Sequence, residues 1–134
     1  MGYYRLCWKI GISSLEWNDT PRRISQFLYK IQPTRLELVT LGPTDEEASI
    51  LSEHSKYLES LVNKGVVLVF GRTQNNDVST FGIVIFQAES EDHARVIMNN
   101  DPAVKNGIMR AELFPYKIAG LSSNWKSWIH LPEN

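Results

Sequence analysis

The spacing of hydrophobic positions changes several times along the chain, and each change marks an element. Phe27 to Gln32 is an apolar-rich run that ends at Pro33. Because proline cannot donate to a sheet ladder, this predicts a first strand, followed by a connection from Pro33 to Pro43. Ile50, Leu51, Tyr57, Leu58, Leu61 and Val62 then recur at helical spacing, which predicts a helix from Asp45 to about Lys64. Thr44 and Glu47 form a capping box, the carboxylates of Asp45, Glu46 and Glu47 suit the positive end of the helix dipole, and Gly65 supplies the stop. Val66 to Phe70 and Thr80 to Gln87 are β-branched runs on either side of the turn cluster Asn75-Asn76-Asp77, so together they read as a hairpin. Ser90 caps a second, shorter helix from Glu91 to about Asn99. Gly107 opens a last strand, Ile108 to Phe114, in which Met109, Ala111 and Leu113 alternate with Arg110 and Glu112.

Strand, helix, strand, strand, helix, strand is the split βαβ order, so the expected class is α+β and ferredoxin-like: βαββαβ, with two helices on one face of a four-stranded antiparallel sheet. No further helix remains to cover the opposite face, which should be polar in a monomer. Instead, Val66, Leu68 and Phe70 alternate with Val67 and Val69, and Phe81, Ile83 and Ile85 alternate with Val84 and Phe86. Both faces of the hairpin are apolar. An uncovered apolar sheet face calls for a partner, and the smallest closed solution is a homodimer with its sheets face to face.

Composition narrows the picture by exclusion. The chain has 134 residues, 14 Lys+Arg against 15 Asp+Glu, and 43% hydrophobic residues. That is one ordinary domain, well short of the ~250 residues of a TIM barrel. Near-neutral charge gives no broad attraction to phosphate backbones or anionic lipid, so neither a nucleic acid nor a membrane is expected as partner. The single cysteine, Cys7, forms no intrachain disulfide and no Cys-rich zinc site, and a reducing cytoplasmic compartment is the default. Residues 1–26 hold Trp8 and Trp17 without sustained periodicity and are expected to be an N-terminal extension to a domain spanning 27–119. Ile10 to Leu15 is too short and too rich in Ser and Gly for a signal peptide. Trp125 and Trp128 stand in a polar tail, 120–134, and are expected to cover an apolar edge.

Familiar catalytic motifs are absent: there is no Gly-x-Gly-x-x-Gly, P-loop, Gly-x-Ser-x-Gly or His-Glu-x-x-His. His54, His93 and His130 show no metal-ligand spacing, so no bound metal is expected. His54 is the unexpected one, because it falls inside the apolar stripe of the first helix, three before Tyr57 and four before Leu58. An imidazole directed at the sheet is either a core histidine bonded to a backbone carbonyl or a functional group with an acidic partner. Asp101, directly before Pro102 at a chain reversal after the second helix, is the candidate partner. A carboxylate on one imidazole nitrogen fixes the tautomer and raises the basicity of the other, as a general base requires. Asp101 equally suits an Asx turn or a helix stop. His93 reads as solvated, and His130 lies in the tail.

His54-x-x-Tyr57-Leu58, Gly65, Gly71, Ser90, Asp101-Pro102, Gly107 and Phe114-Pro115-Tyr116, in this order and spacing, resemble the YciI-related (YCII) domain family of the dimeric α+β barrel group. The resemblance spans Phe27 to about Ala119. It implies an active site on a paired His and Asp, here His54 and Asp101, and cofactor-independent acid/base chemistry on small ring compounds, as in a dehydrochlorinase and the muconolactone isomerases. The sequence departs from the family at Arg72, where many members carry Pro, at Leu51, where Arg is frequent, and at Ala103, where an aromatic is common. With no arginine at position 51, Arg72 and Arg35 become candidate cations for an anionic substrate, with Tyr57 a further binding candidate. Both arginines also fit solvated or ion-paired surface roles. The expectation is a small cofactor-independent lyase or isomerase acting in the cleft between helices and sheet. Its rival is a non-catalytic dimeric module that binds a small ligand or a protein. A haem or quinol monooxygenase of the same barrel group ranks below both.

Overall fold

The computed structural model of the chain describes residues 25–124. The expectations for Cys7, Trp8, Trp17, Trp125, Trp128 and His130 therefore lie outside the described residues. The elements are β1 (Ser25–Pro33), α1 (Glu37–Thr40), α2 (Asp45–Asn63), β2 (Val67–Arg72), β3 (Gly82–Ala88), α3 (Glu91–Asn99), α4 (Pro102–Lys105) and β4 (Met109–Tyr116). Sheet order is β2-β3-β1-β4 and every neighbouring pair is antiparallel, which is the ferredoxin-like α+β arrangement expected from the order of elements.

Local chemistry sets the boundaries. At the start of α2, Thr44 Oγ1 accepts the Glu47 backbone N–H while the Glu47 carboxylate accepts that of Thr44, so two otherwise orphaned donors are satisfied. Gly65, at φ +77°, ends the helix: its N–H reaches the Val62 carbonyl and that of Val66 the Leu61 carbonyl. Ser90 Oγ caps α3 through the His93 N–H.

Two single-turn helices interrupt what the sequence suggests are plain connections. α1 lies within the Pro33–Pro43 link. α4 follows Asp101, which is thus the N-cap of a new helix and not only a chain reversal: its carboxylate accepts the Ala103 N–H. Gly107 closes α4 at φ +78° and does not simply open the last strand; its N–H bonds to Val104 and that of Ile108 to Ala103.

The core fills the space between the helices and one sheet face. Phe27, Tyr29, Ile31, Val67, Val84, Phe86 and Ala88 point from the sheet towards Leu58 of α2 and Ala94, Ile97 and Met98 of α3. Phe86 is fully buried and meets Tyr29 edge to face at 5.6 Å between ring centroids. Val62, grouped with the apolar stripe of α2, is instead exposed, while its neighbour Leu61 packs against the core.

On the opposite face, β1 presents Leu28 between Ile85 of β3 and Phe114 of β4. Val69 stands beside Ile85, after a bulge at Leu68 that shifts the register of the edge strand. Val69, Phe114 and Tyr116 are 52%, 45% and 43% exposed, so this face carries uncovered apolar area interspersed with Lys30, Gln32, Arg110 and Glu112. Among the described residues, no helix is long and apolar enough to cross a membrane.

Candidate active site

The third turn of α2 brings His54 over the sheet, where its Nδ1 lies 2.7 Å from Asp101 Oδ1. Asp101 is fully buried, and the His54 side chain is 15% exposed. A buried carboxylate needs donors on its lone pairs, and this one has three: His54 Nδ1, the Ala103 N–H at 3.0 Å on the same oxygen, and Tyr29 Oη at 2.7 Å on the other. Burial, then the adjacent charge and hydrogen bond of Asp101, hold the Tyr29 phenol well above its ordinary range, so it stays a donor. With a carboxylate as acceptor, Nδ1 carries the imidazole hydrogen. Nε2 is left with the lone pair and makes no hydrogen bond among the described residues.

His54 forms part of the wall of a cavity of about 320 Å³ between α1, α2 and the sheet. The remaining wall is mostly apolar, with Ile31, Leu38, Val39, Leu51, Leu58, Phe70, Val84 and Met109; polar side chains enter it from Ser55, Thr80 and Arg72. Thr80 is buried and meets Thr73 hydroxyl to hydroxyl at 3.1 Å. Leu51, three residues before His54, presents hydrocarbon to the cavity.

The residues singled out from sequence separate into two groups. His54 and Asp101 come together, and Arg72 stands at the cavity. Arg35 and Tyr57 are absent from its lining and are committed elsewhere. Arg35 Nε donates to Glu47 Oε2 at 3.0 Å and its Nη2 to Oε1. This pairing, with the Thr44 backbone N–H, draws the Glu47 carboxyl down to about 2. Tyr57 Oη donates to the Ile97 carbonyl at 2.7 Å, tying α2 to α3; burial and then the Asp101 charge push its phenol up to about 12. His93 is exposed, as expected. Tyr29 is the member of the site that sequence reasoning missed. Its signal was available: a tyrosine in the inward row Phe27, Tyr29, Ile31 needs a buried partner for its hydroxyl.

The YCII-related domain family model matches residues 27–117. The chain belongs to the YCII-related domain family. A similar solved structure is that of 5-chloro-2-hydroxyhydroquinone dehydrochlorinase (TftG) from Burkholderia phenoliruptrix AC1100, in complex with 2,5-dihydroxybenzoquinone. It aligns with this YCII domain at a TM-score of 0.52 and 25% identity, covering 69% of this chain and 93% of that one. No curated protein matches the chain. Among the described residues of this YCII domain, no group of three or more His, Cys, Asp or Glu side chains lies close enough to hold a metal ion.

Proposed function

We propose that this YCII-domain protein is a small cofactor-independent enzyme of the lyase or isomerase type, with His54 as its general base and Asp101 as the carboxylate that orients it. The observation that carries the reading is the 2.7 Å contact between His54 Nδ1 and a fully buried carboxylate, made by an imidazole whose ring also borders a cavity. The likeness to a dehydrochlorinase supports the same class of chemistry. In the step proposed, an acidic O–H or C–H bond of the substrate breaks and its proton passes to Nε2. The released electron pair either expels a leaving group such as chloride, after which the proton on Nε2 passes to solvent, or relocates a double bond, after which the proton returns to a different atom of the substrate. Asp101 stabilises the imidazolium that forms, and either route regenerates the base. Acceptor and counter-charge are both side chains, so the step calls on no cofactor. Arg35 and Tyr57 are assigned structural roles, and Arg72 the substrate.

His54→Asn tests the assignment. Halide release from 5-chloro-2-hydroxyhydroquinone and related chlorinated hydroquinones should fall by about 10²–10⁴-fold, the usual contribution of a general base, while the melting temperature stays close to that of the parent. If the variant instead loses about 1–3 kcal/mol of stability and no substrate in the panel is turned over by the parent, His54 is a structural tie and the non-catalytic module is correct.

We also propose that the protein is a homodimer joined through the open sheet face, on the strength of the apolar area left there by Val69, Phe114 and Tyr116. Phe114→Glu should convert it to a monomer in light scattering. An unchanged mass, or a monomeric parent, would refute this.

A further inference from the structure

We infer that the substrate of this cavity is an apolar ring compound bearing a single anionic oxygen group, and that Arg72 is the residue that binds that group; the inference rests on reading the cavity as the substrate site. Strand register provides the first argument. Arg72 pairs with Gly82, and Gly82 with Ile31, whose side chain lies in the core under the helices. All three therefore belong to the row that faces the helices, so Arg72 leaves β2 on the cavity side.

The middle of that row is a glycine, closely overlaid by its neighbours. A Cβ on Gly82 would lie 3.2 Å from the Gly71 carbonyl oxygen and 3.3 Å from Ile31 Cγ1, both tighter than ordinary contact. Glycine thus lets the Ile31 side chain close down on the strand at this point, and Ile31, Gly82 and Arg72 all line the cavity.

Charge provides the second argument. Arg35 is neutralised by Glu47 and Arg95 by Glu91. Arg110 is held by the Pro33 carbonyl and Gln32 and does not line this cavity. Arg72 has no carboxylate partner among the described residues: Nε donates to the Thr73 carbonyl at 2.9 Å, and Nη2 makes only a long 3.4 Å contact with Asn76 Oδ1. Its Nη1 is uncommitted among those residues. The guanidinium is held in place from one side while keeping donors for an oxyanion.

The rest of the wall defines the remainder of the ligand. Leu38, Leu51, Phe70 and Met109 offer hydrocarbon, and a volume of about 320 Å³ is near the small end of ligand cavities, suited to a single substituted ring. With one uncommitted cation among the described residues of its lining and the negative Asp101 behind His54, a second anionic group would be buried without a counter-charge. The favoured ligand is a monoanion, with its acidic oxygen at Arg72 and its reacting group at His54.

Benzoate and its neutral isostere benzamide, titrated separately at equal ionic strength, test this by NMR of the His54 ring and the Leu51 methyls. The parent should bind benzoate at least about tenfold more tightly than benzamide, Arg72→Gln should abolish that preference while leaving benzamide binding unchanged, and Arg72→Lys should keep part of it. His54→Asn should retain the preference, because holding the anion does not need the base. Equal binding of the two probes to the parent, a preference that survives Arg72→Gln, or no shift at Leu51 and His54 with either probe would overturn the inference. An Arg72-dependent preference together with no turnover of any ring substrate would leave the anchor standing and remove the reaction proposed above.

Discussion

Helix α2 makes two ionisable contacts from one side, two turns apart, and they differ in the partner more than in the helix residue. Glu47 and His54 are similarly sheltered, at 13% and 15% side-chain exposure. Arg35, which meets Glu47, is 38% exposed, whereas Asp101, which meets His54, is not exposed at all. The first pair can exchange its contact for water and is screened by salt, so it serves to fasten the link after β1 to the start of the helix. The second has no such exchange open to it. Its carboxylate must be satisfied by protein donors at all times, and that necessity is what orients the imidazole. The same kind of contact is a fastening at one end of the helix and, two turns later, the setting of the proposed proton acceptor.

The contrast is broken most severely at Asp101. Asp101→Ala would orphan the Tyr29 hydroxyl and the Ala103 N–H and remove an N-cap, a loss of about 2–5 kcal/mol in urea unfolding. Asp101→Asn, which keeps acceptor oxygen for the cap, should recover part of that stability but little of the activity. If Asp101→Ala were no more damaging than Arg35→Ala, the distinction between the two pairs would collapse.

A smaller effect is expected at Tyr29. Tyr29→Phe leaves one carboxylate oxygen short of a donor, for about 1–3 kcal/mol. It should also change the alkaline limb of the stability curve. The folded phenol is held above the ordinary value of 10.0, so above pH 10 the unfolded chain releases a proton that the folded chain keeps. The stabilisation is complete below pH 10 and drains away as pH rises. The Phe variant should lose about half of this slope up to pH 11, because Tyr57, whose phenol sits at about 12, keeps its proton over the same range and supplies the rest. Melts between pH 8 and 11 would reveal an unaltered slope if the assignment to Tyr29 is wrong.

The smallest effect belongs to the pair whose cation is exposed. Glu47 titrates at about 2 when folded against 4.5 unperturbed, so its contribution is present above pH 4.5 and is lost as pH falls towards 2. Arg35→Gln should move the Glu47 midpoint up towards 4.5 in carboxyl NMR and lower the melting temperature at neutral pH by less than Asp101→Ala or Tyr29→Phe does, a difference that fades as pH falls towards 2. A midpoint that stays near 2 would assign the depression to the Thr44 backbone N–H alone.

Most of the architecture was legible in the sequence because it rests on local rules. The capping box at Thr44, the Ser90 cap and the stop at Gly65 act within a few residues, and the alternation in β1 and β4 reports burial directly. The single-turn helices α1 and α4 were hidden because four residues are too few to display a period. In the site, His54 stood out as a polar residue in an apolar stripe, and Pro102 drew attention to Asp101. The fate of Arg35 could not be foreseen, since its partner lies twelve residues further on across an irregular link. Tyr57 was misleading for a different reason: it keeps the company of His54 along the helix, yet its hydroxyl is directed at α3.

The proposed base is assembled from distant stretches of chain. Asp101 lies 47 residues beyond His54 and 72 beyond Tyr29, with β2, β3 and α3 in between. The leading half of the domain holds an imidazole with no carboxylate to orient it, and the trailing half a carboxylate with nothing to orient. Neither fragment inherits the chemistry. A partial opening in which α3 and α4 lift from α2 would therefore abolish the proposed activity while much of the secondary structure survived, so loss of turnover should precede loss of the far-ultraviolet signal on gentle heating.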